Sequence, residues 1–175
     1  MAGALRSAQH RHGARGPARC DQGVDGPHRR AAARSARIAV DVTTAIDIAR
    51  PRAEVAAYAA DPENATTWYE NIKAVERRSP DAVTFTAEFL GRRLTYTYEI
   101  VEDIAGDRLV MRTAEGPFPM ETTYTWADAG GGTRMTLRNR GEPKGFSKLA
   151  APVLAAAMRR ANQRDLERLK RILER

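Results

Sequence analysis

The sequence FPMETTYTWADAGGGTRMTLRNR, residues 118–140, contains two stretches of period two separated by a glycine-rich turn. Apolar or aromatic side chains alternate with polar ones before Asp128 and again after Gly132, a pattern typical of half-buried strands. The glycines between them are followed by a strand, whereas a phosphate-binding loop would lead into a helix. The stretch therefore predicts a β-hairpin with one face turned towards a core.

Strands with the same alternation precede this hairpin along the chain. The links between the last six strands are short and rich in Gly, Pro and Asp, which indicates an antiparallel meander without crossover helices. The predicted strands are residues 38–48, 72–78, 83–90, 94–104, 108–113, 118–126 and 133–140.

Two short helices are predicted between the first and second strands. Pro51 favours a helix that runs to about Ala60. Asp61 can cap a second helix, which Pro62 opens and which ends near Trp68.

The C-terminal part of the chain is predicted to form one long helix over about residues 145–173. Pro152 either kinks this helix or begins its main segment. Its apolar stripe consists of Leu154, Met158, Ala161, Leu166, Leu169 and Ile172. Together the elements predict an α+β architecture, in which a curved antiparallel sheet of seven strands wraps around the apolar stripe of the helix.

Four segments resemble the START-like (SRPBCC) superfamily, in its polyketide cyclase/dehydrase and lipid-transport branch. They are residues 48–55, residues 61–64 leading to Trp68, residues 131–137 and the long C-terminal helix. The resemblance covers about residues 38–173 and implies a helix-grip fold with a deep cavity between sheet and helix, in which family members bind sterols, lipids, polyketides or other apolar molecules. The link at residues 77–82 is shorter than expected for the family, which bears on the shape of that cavity wall.

The net charge of +7 is concentrated in the first 37 residues, which hold eight arginines and two aspartates. We predict that residues 1–37 form a disordered basic tail and that residues 38–175 form one ligand-binding domain. The alternatives for the tail are contact with nucleic acid or another acidic surface, and organelle targeting. Because residues 38–175 carry a net charge of only +1, nucleic-acid binding is expected through the tail or not at all.

The three histidines and the single cysteine also lie in the tail. Residues 38–175 therefore lack an imidazole base, a thiolate nucleophile and soft ligands for zinc or copper. We expect no metal and no cofactor, so acid/base chemistry would fall to Asp, Glu, Tyr or Lys. The sequence contains no secretory h-region and no apolar run long enough to span a membrane, which predicts a cytoplasmic protein.

Aromatic, methionine and polar side chains share the faces of the strands and helix that are predicted to be apolar. The predicted ligand-binding cavity consists of Trp68, Phe85, Phe89, Tyr96, Tyr98, Met120, Thr122, Tyr124, Asn139, Leu154 and Met158. This mixture suits a mostly apolar pocket with a few orienting groups, and the alternative is that each residue only packs in the core. A buried hydroxyl or amide without a partner costs about 1–3 kcal/mol, so the polar members need a network, water or a ligand. No residue matches a catalytic motif.

Three further features leave alternatives open. The alanines at 150, 151 and 155–157 either leave a cavity unfilled or allow close contact between helix and sheet. Trp68 and Tyr69 either gate an entrance to the cavity or plug it. Arg112 lies on a strand with apolar residues on both faces, and we expect it to be solvated rather than to orient a ligand anion.

Three functions are compatible with these features. The leading hypothesis is the binding or transport of an apolar small molecule, such as a lipid or polyketide, in the cavity between sheet and helix. The second is an enzyme of the polyketide cyclase/dehydrase type, which would use Tyr or Arg side chains to stabilise an enolate without metal or histidine. The third is a protein-interaction or regulatory module whose sheet face or basic tail contacts a partner.

Overall fold

The computed structural model describes residues 40–89, 91–116, 119–142 and 151–175, without the side chains of Phe89 and Ala151. The predictions for the basic tail, for Ile38 and Phe118, and for the helix before residue 151 lie outside these residues. The division into a tail and one domain at residue 37 stays a prediction.

Seven antiparallel strands form one curved sheet, as the alternating pattern predicts. In space their order is β1-β7-β6-β5-β4-β3-β2, so the last six strands form the predicted meander. The strands are β1 Val40–Ile48, β2 Ile72–Ser79, β3 Ala82–Phe89, β4 Arg92–Ile104, β5 Arg108–Glu115, β6 Met120–Ala129 and β7 Gly132–Gly141. Their bounds agree with the prediction to within a few residues, because turn residues mark both ends of most strands.

The first strand joins the last one along its whole length. Val40 lies opposite Gly141, and Ile48 lies opposite Thr133. This pairing brings the N-terminal strand beside the end of the meander and leaves β2 at the far edge of the sheet. No local pattern in the sequence indicates this neighbour.

The glycine run between β6 and β7 is a turn, as expected. Gly130 and Gly131 have φ angles of 55° and 86°, in the left-handed region that glycine enters without steric cost. Gly132 begins β7 beside the end of β1, where a Cβ atom would collide with the backbone carbonyl of Ile48. The turn and the close approach therefore both require glycine.

The two short helices lie where the sequence predicts them. Helix α1 spans Arg52–Ala60, and a 3₁₀ turn at Pro62–Asn64 leads into α2 at Ala65–Trp68. Asp61 caps the 3₁₀ turn, because its Oδ1 accepts a hydrogen bond of 3.0 Å from the backbone N–H of Glu63.

The long helix α3, Ala151–Leu173, packs against the sheet through the C-terminal half of its apolar stripe. Leu166 and Leu169 are fully buried in the core cluster, together with Met135 and Leu137 of β7. Lys170 Nζ donates to the backbone carbonyl of Asp47 over 2.6 Å. The backbone N–H of Ala49 donates to Glu174 Oε1, also over 2.6 Å. These contacts fix the C-terminal end of α3 to the end of β1.

Candidate functional site

A cavity of about 710 Å³ lies between the sheet and the N-terminal half of α3. Its walls come from the region of α1 and α2, from all seven strands and from α3. Apolar and aromatic side chains form most of the lining, and the volume falls within the range of small-molecule sites, about 300–1,000 Å³.

Ten of the eleven residues that the sequence assigns to the cavity line it. They are Trp68, Phe85, Tyr96, Tyr98, Met120, Thr122, Tyr124, Asn139, Leu154 and Met158. The eleventh, Phe89, has its side chain outside the described part of the structure. Contact of these residues with a ligand stays a prediction, because the placement shows only that they share one cavity.

The inner face of the sheet, which strand parity predicts as one apolar surface, has two parts according to how α3 packs against it. Trp126, Met135 and Leu137 have the same strand parity as the lining residues, yet they are buried in the core and do not border the cavity. Tyr98, Thr122 and Asn139 lie further along the same sheet face and do border it. The boundary follows the packing of the helix, which parity cannot reveal.

Small residues of α3 account for part of the cavity. Ala157 and Ala161 line it, whereas Ala155 and Ala156 do not. Of the two alternatives for these alanines, an unfilled cavity rather than close contact between helix and sheet therefore applies to Ala157. Ala150 and the side chain of Ala151 lie outside the described residues.

Aromatic rings in contact with one another form two groups in the cavity wall, one on β3 and β4 and one that begins on α2. The ring centroids of Tyr96 and Tyr98 lie 5.5 Å apart in an edge-to-face arrangement, and Phe85 lies 5.9 Å from Tyr96. Trp68 stacks on Tyr69 with a centroid distance of 3.9 Å. Such pairs are worth about 0.5–1.5 kcal/mol beyond the area they bury, so they stabilise this arrangement of the rings.

Trp68 is only 1% exposed, which favours the plug over the gate for this residue. Among the described lining residues, Arg92 at the start of β4 and Ala157 of α3 are exposed. The exposed part of the described lining therefore lies on β4 and on the N-terminal half of α3.

Four polar side chains form a hydrogen-bonded chain across one end of the cavity. Tyr98 Oη and Thr122 Oγ1 are 3.2 Å apart, and Thr122 Oγ1 donates to Asn139 Oδ1 over 2.9 Å. Asn139 Nδ2 then donates to Asn162 Oδ1 of α3 over 3.1 Å. The hydrogen-bond partners that the sequence predicts for Tyr98 and Asn139 thus lie on one other strand, β6, and on the helix.

Tyr124 is satisfied by a second hydroxyl, that of Tyr69, with an oxygen–oxygen distance of 2.6 Å. Burial raises the pKa of both phenols well above the usual value, so both remain protonated at neutral pH. The pair is a neutral hydrogen-bonding unit in the cavity wall rather than a source of phenolate.

Asp165 of α3 is a carboxyl group that lines the cavity and is only 4% exposed. Its Oδ1 accepts a hydrogen bond of 3.0 Å from the backbone N–H of Glu70. The pKa of Asp165 is raised from 3.8 to about 6, mainly by burial and also by the Glu70 carboxylate, against the opposing effects of that hydrogen bond and of Arg164 and Arg168. A group with this pKa can exchange a proton near neutral pH.

Arg112, which the sequence predicts to be solvated, is exposed on the outer face of β5. Its Nε donates to Glu121 Oε2 over 2.8 Å, and the Arg112 side chain is 62% exposed. It therefore does not reach the cavity.

Within the described residues, no group of three or more His, Cys, Asp or Glu side chains is arranged to hold a metal ion. None of the helices in the same part of the chain is long and apolar enough to cross a membrane. The cytoplasmic location stays a prediction of the sequence.

A family model for polyketide cyclase/dehydrase and lipid-transport proteins matches residues 39–174. The chain belongs to this family. The match covers nearly the whole region that the sequence segments suggested, so the predicted superfamily is confirmed. No curated protein matches the sequence significantly.

Solved structures share the helix-grip fold of this family member. A START superfamily protein of Mycobacterium smegmatis has a TM-score of 0.69 at 14% identity, with 77% of this chain and 97% of that chain covered. The Zhui aromatase/cyclase of Streptomyces sp. R1128 has a TM-score of 0.67 at 17% identity, with 79% and 95% covered. A protein of Thermus thermophilus has a TM-score of 0.66 at 22% identity, with 75% and 94% covered. These likenesses concern the fold alone.

In this polyketide cyclase/dehydrase and lipid-transport family member, the predicted cavity set omits several polar lining residues, of which Asn162 and Asp165 are the two that are almost fully buried. Both lie on a helix segment rich in charged residues that face solvent. A signal was present, because Asp165 lies four residues after Ala161 and four before Leu169, on the apolar stripe itself. A carboxyl group at that position is expected inside the fold.

Proposed function

We propose that this protein binds an apolar small molecule, of the lipid or polyketide kind, in the cavity beneath α3. The observation that carries the proposal is a space of about 710 Å³ lined mainly by apolar and aromatic side chains, with a small number of polar groups. Burial of an apolar molecule there would gain about 25 cal/mol for each Å² removed from water. The family, which includes lipid-transport proteins, supports the same function.

Fluorescence titration with N-phenyl-1-naphthylamine tests this proposal, because the probe emits strongly only in apolar surroundings. We expect saturable binding to the intact protein. Ala161 borders the cavity and is half-buried, so Ala161→Phe should fill part of the space and weaken binding by at least about tenfold.

The matched control is Ala57→Phe on the exposed face of α1, which should bind the probe as the unaltered protein does. Thermal melting of both variants establishes that they are folded. Absence of binding to the unaltered protein, or equal affinity for Ala161→Phe and Ala57→Phe, would contradict a binding function for this cavity.

A second candidate function is catalysis of the cyclase/dehydrase type, and the specific observation in its favour is Asp165. A buried carboxyl with a pKa of about 6 is suited to take up and return a proton during the cyclisation or dehydration of a β-ketone. The phenols of Tyr96 and Tyr124 could then orient ketone oxygens or stabilise an enolate.

A synthetic aryl poly-β-ketone, followed by absorbance and mass spectrometry, separates the two candidates. For an enzyme, Asp165→Asn and Tyr124→Phe should lower turnover by about a hundredfold or more. For a carrier the same variants change affinity only a few-fold, and the compound is recovered unchanged. Recovery of unchanged compound after prolonged incubation therefore excludes this reaction class.

A further inference from the structure

Asn162 and Asp165 stand next to each other on the cavity side of α3, three residues apart. Side chains at this spacing on a helix are neighbours, with Cβ atoms about 5–6 Å apart. Each residue is 4% exposed, and each borders the cavity. They are thus two buried polar groups that face one space.

The orientation of the Asn162 amide is set by its partner on the sheet. Asn139 Nδ2 donates to Asn162 Oδ1, and Asn139 Oδ1 is itself engaged by Thr122. Asn162 Nδ2 is buried and has no hydrogen-bond partner among the described residues. One buried N–H donor of this cavity-lining residue is therefore left without an acceptor.

Asp165, in contrast, has an acceptor atom without a donor. Its Oδ1 accepts from the Glu70 amide, and no hydrogen bond or ion pair engages its Oδ2 within the described part of the chain. Arg164, the preceding residue, is exposed and pairs with the Glu70 carboxylate at 3.1 Å instead. Arg168 of α3 also lowers the pKa of Asp165, and the Asp165 carboxylate in turn raises the pKa of the phenols of Tyr69, Tyr96 and Tyr124.

A ligand group that satisfies both residues must accept one hydrogen bond and donate another. A hydroxyl does so, because its oxygen can accept from Asn162 Nδ2 while its hydrogen is donated to Asp165 Oδ2. An ether or ketone oxygen cannot donate to the carboxylate, and an ammonium group cannot accept from the amide. Each mismatch would leave a buried polar atom unpartnered, which is costly.

We propose that the apolar ligand of this cavity carries a hydroxyl or phenol group, and that Asn162 and Asp165 hold this group between them. The proposal rests on the proposed binding function and specifies the polar end of its ligand. The rest of the cavity wall is mainly apolar, so this pair sets the orientation in which a rigid ring system enters.

Three fluorescent probes of one shape test the proposal: 1-hydroxypyrene, 1-methoxypyrene and pyrene. The intact protein should bind 1-hydroxypyrene at least about tenfold more tightly than either of the others at pH 7.5, because a hydrogen bond to a charged group is among the stronger ones. Equal affinities for the three probes would overturn the hydroxyl site while leaving apolar binding intact. If none of the probes binds, the proposed function itself fails.

Variants assign the preference to the two residues. Asn162→Leu and Asp165→Leu should each reduce the preference for 1-hydroxypyrene over pyrene to about twofold or less. Asp165→Asn keeps the size of the side chain and a hydrogen-bond acceptor but loses the charge, so it should reduce this preference in part. This variant also provides the test if Asp165→Leu does not fold. A preference that survives in Asn162→Leu and Asp165→Asn refutes the assignment.

Matched controls lie on the same helix. Gln163 bonds to Glu167 over 3.0 Å, outside the cavity. Gln163→Leu and Glu167→Leu repeat the amide-to-leucine and acid-to-leucine changes there, and the preference should remain in both. Its loss in these controls would show that a polar group anywhere on α3 affects the preference, which would also overturn the proposal.

Discussion

Asp165 is a buried carboxyl group that is ionised at neutral pH without a cation of its own. Its pKa is raised from 3.8 to about 6 in the folded protein. Between these two values the folded state binds the proton more tightly than the unfolded state does. The free energy of unfolding therefore falls as the pH rises from about 4 to 6, and it stays at the lower value above that range.

Asp165→Asn removes this titration. Compared with the unaltered protein, the variant should therefore be relatively more stable at pH 7.5 than at pH 4. We expect the effect of the variant on the free energy of unfolding to differ between the two pH values by about 1–3 kcal/mol, in favour of the variant at the higher pH. Urea unfolding at both pH values measures this difference. Glu167→Gln, an exposed carboxyl on the same helix, is the control, and an equal effect of Asp165→Asn at both pH values would contradict the burial of an ionised Asp165.

The polar residues of the cavity show which features of such a site can be predicted from a sequence. That Tyr98 and Asn139 need partners follows from their positions on an apolar strand face, since buried polar groups are nearly always hydrogen-bonded. The identity of those partners, Thr122 and Asn162, depends on contacts between strands and helix that no local pattern encodes. The sequence therefore predicts that these side chains need hydrogen-bond partners, but it does not predict which residues those partners are.

Among the elements, helix α3 has two halves with different structural roles. The C-terminal half packs tightly, and Leu166 and Leu169 have no exposed surface. The N-terminal half places Leu154, Ala157 and Met158 beside the cavity. A single apolar stripe in the sequence thus serves both as core and as the wall of a site.

This difference predicts unequal costs for the same substitution. Leu166→Ala should lower the free energy of unfolding by about 2–5 kcal/mol, because it opens a void in a packed core. Leu154→Ala should cost less than about 1.5 kcal/mol, because the half-buried Leu154 already borders open space and has fewer atoms packed against it. Chemical denaturation of the two variants measures both values.

Val153→Ala serves as the control, since Val153 is 71% exposed, and it should stay within about 0.5 kcal/mol of the unaltered protein. Equal losses for Leu154→Ala and Leu166→Ala would mean that the cavity is closed against α3 in solution.

At the scale of the whole molecule, the family match covers residues 39–174 and omits the basic segment before it. We predict that deletion of residues 1–35 leaves the melting temperature unchanged to within about 2 °C, because that composition buries little apolar surface. Differential scanning calorimetry of the full and shortened chains measures the change. A clear drop in melting temperature would refute the prediction of a disordered tail and would extend the folded unit to the N-terminus.

The strands, the turns, the two short helices and the long helix were all predictable from local signals in the sequence: alternation of period two, a stripe of period 3.6, and Gly, Pro and Asp at chain reversals. The family followed from the resemblance of four segments to known members. Strand parity also predicted part of the cavity lining, including Phe85, Tyr98 and Tyr124, because it places the side chains of alternate residues on one face.

Where along that face the helix touches the sheet, and where it leaves space, depends on the tertiary structure. That position is set by the anchoring of α3 to the end of β1 and by the pairing of β1 with β7, both of which join residues far apart in the chain. For the same reason it alone revealed Asn162 and Asp165 as cavity residues. Local periodicity states which side of an element is apolar, but the packing partner of that side is fixed by the fold as a whole.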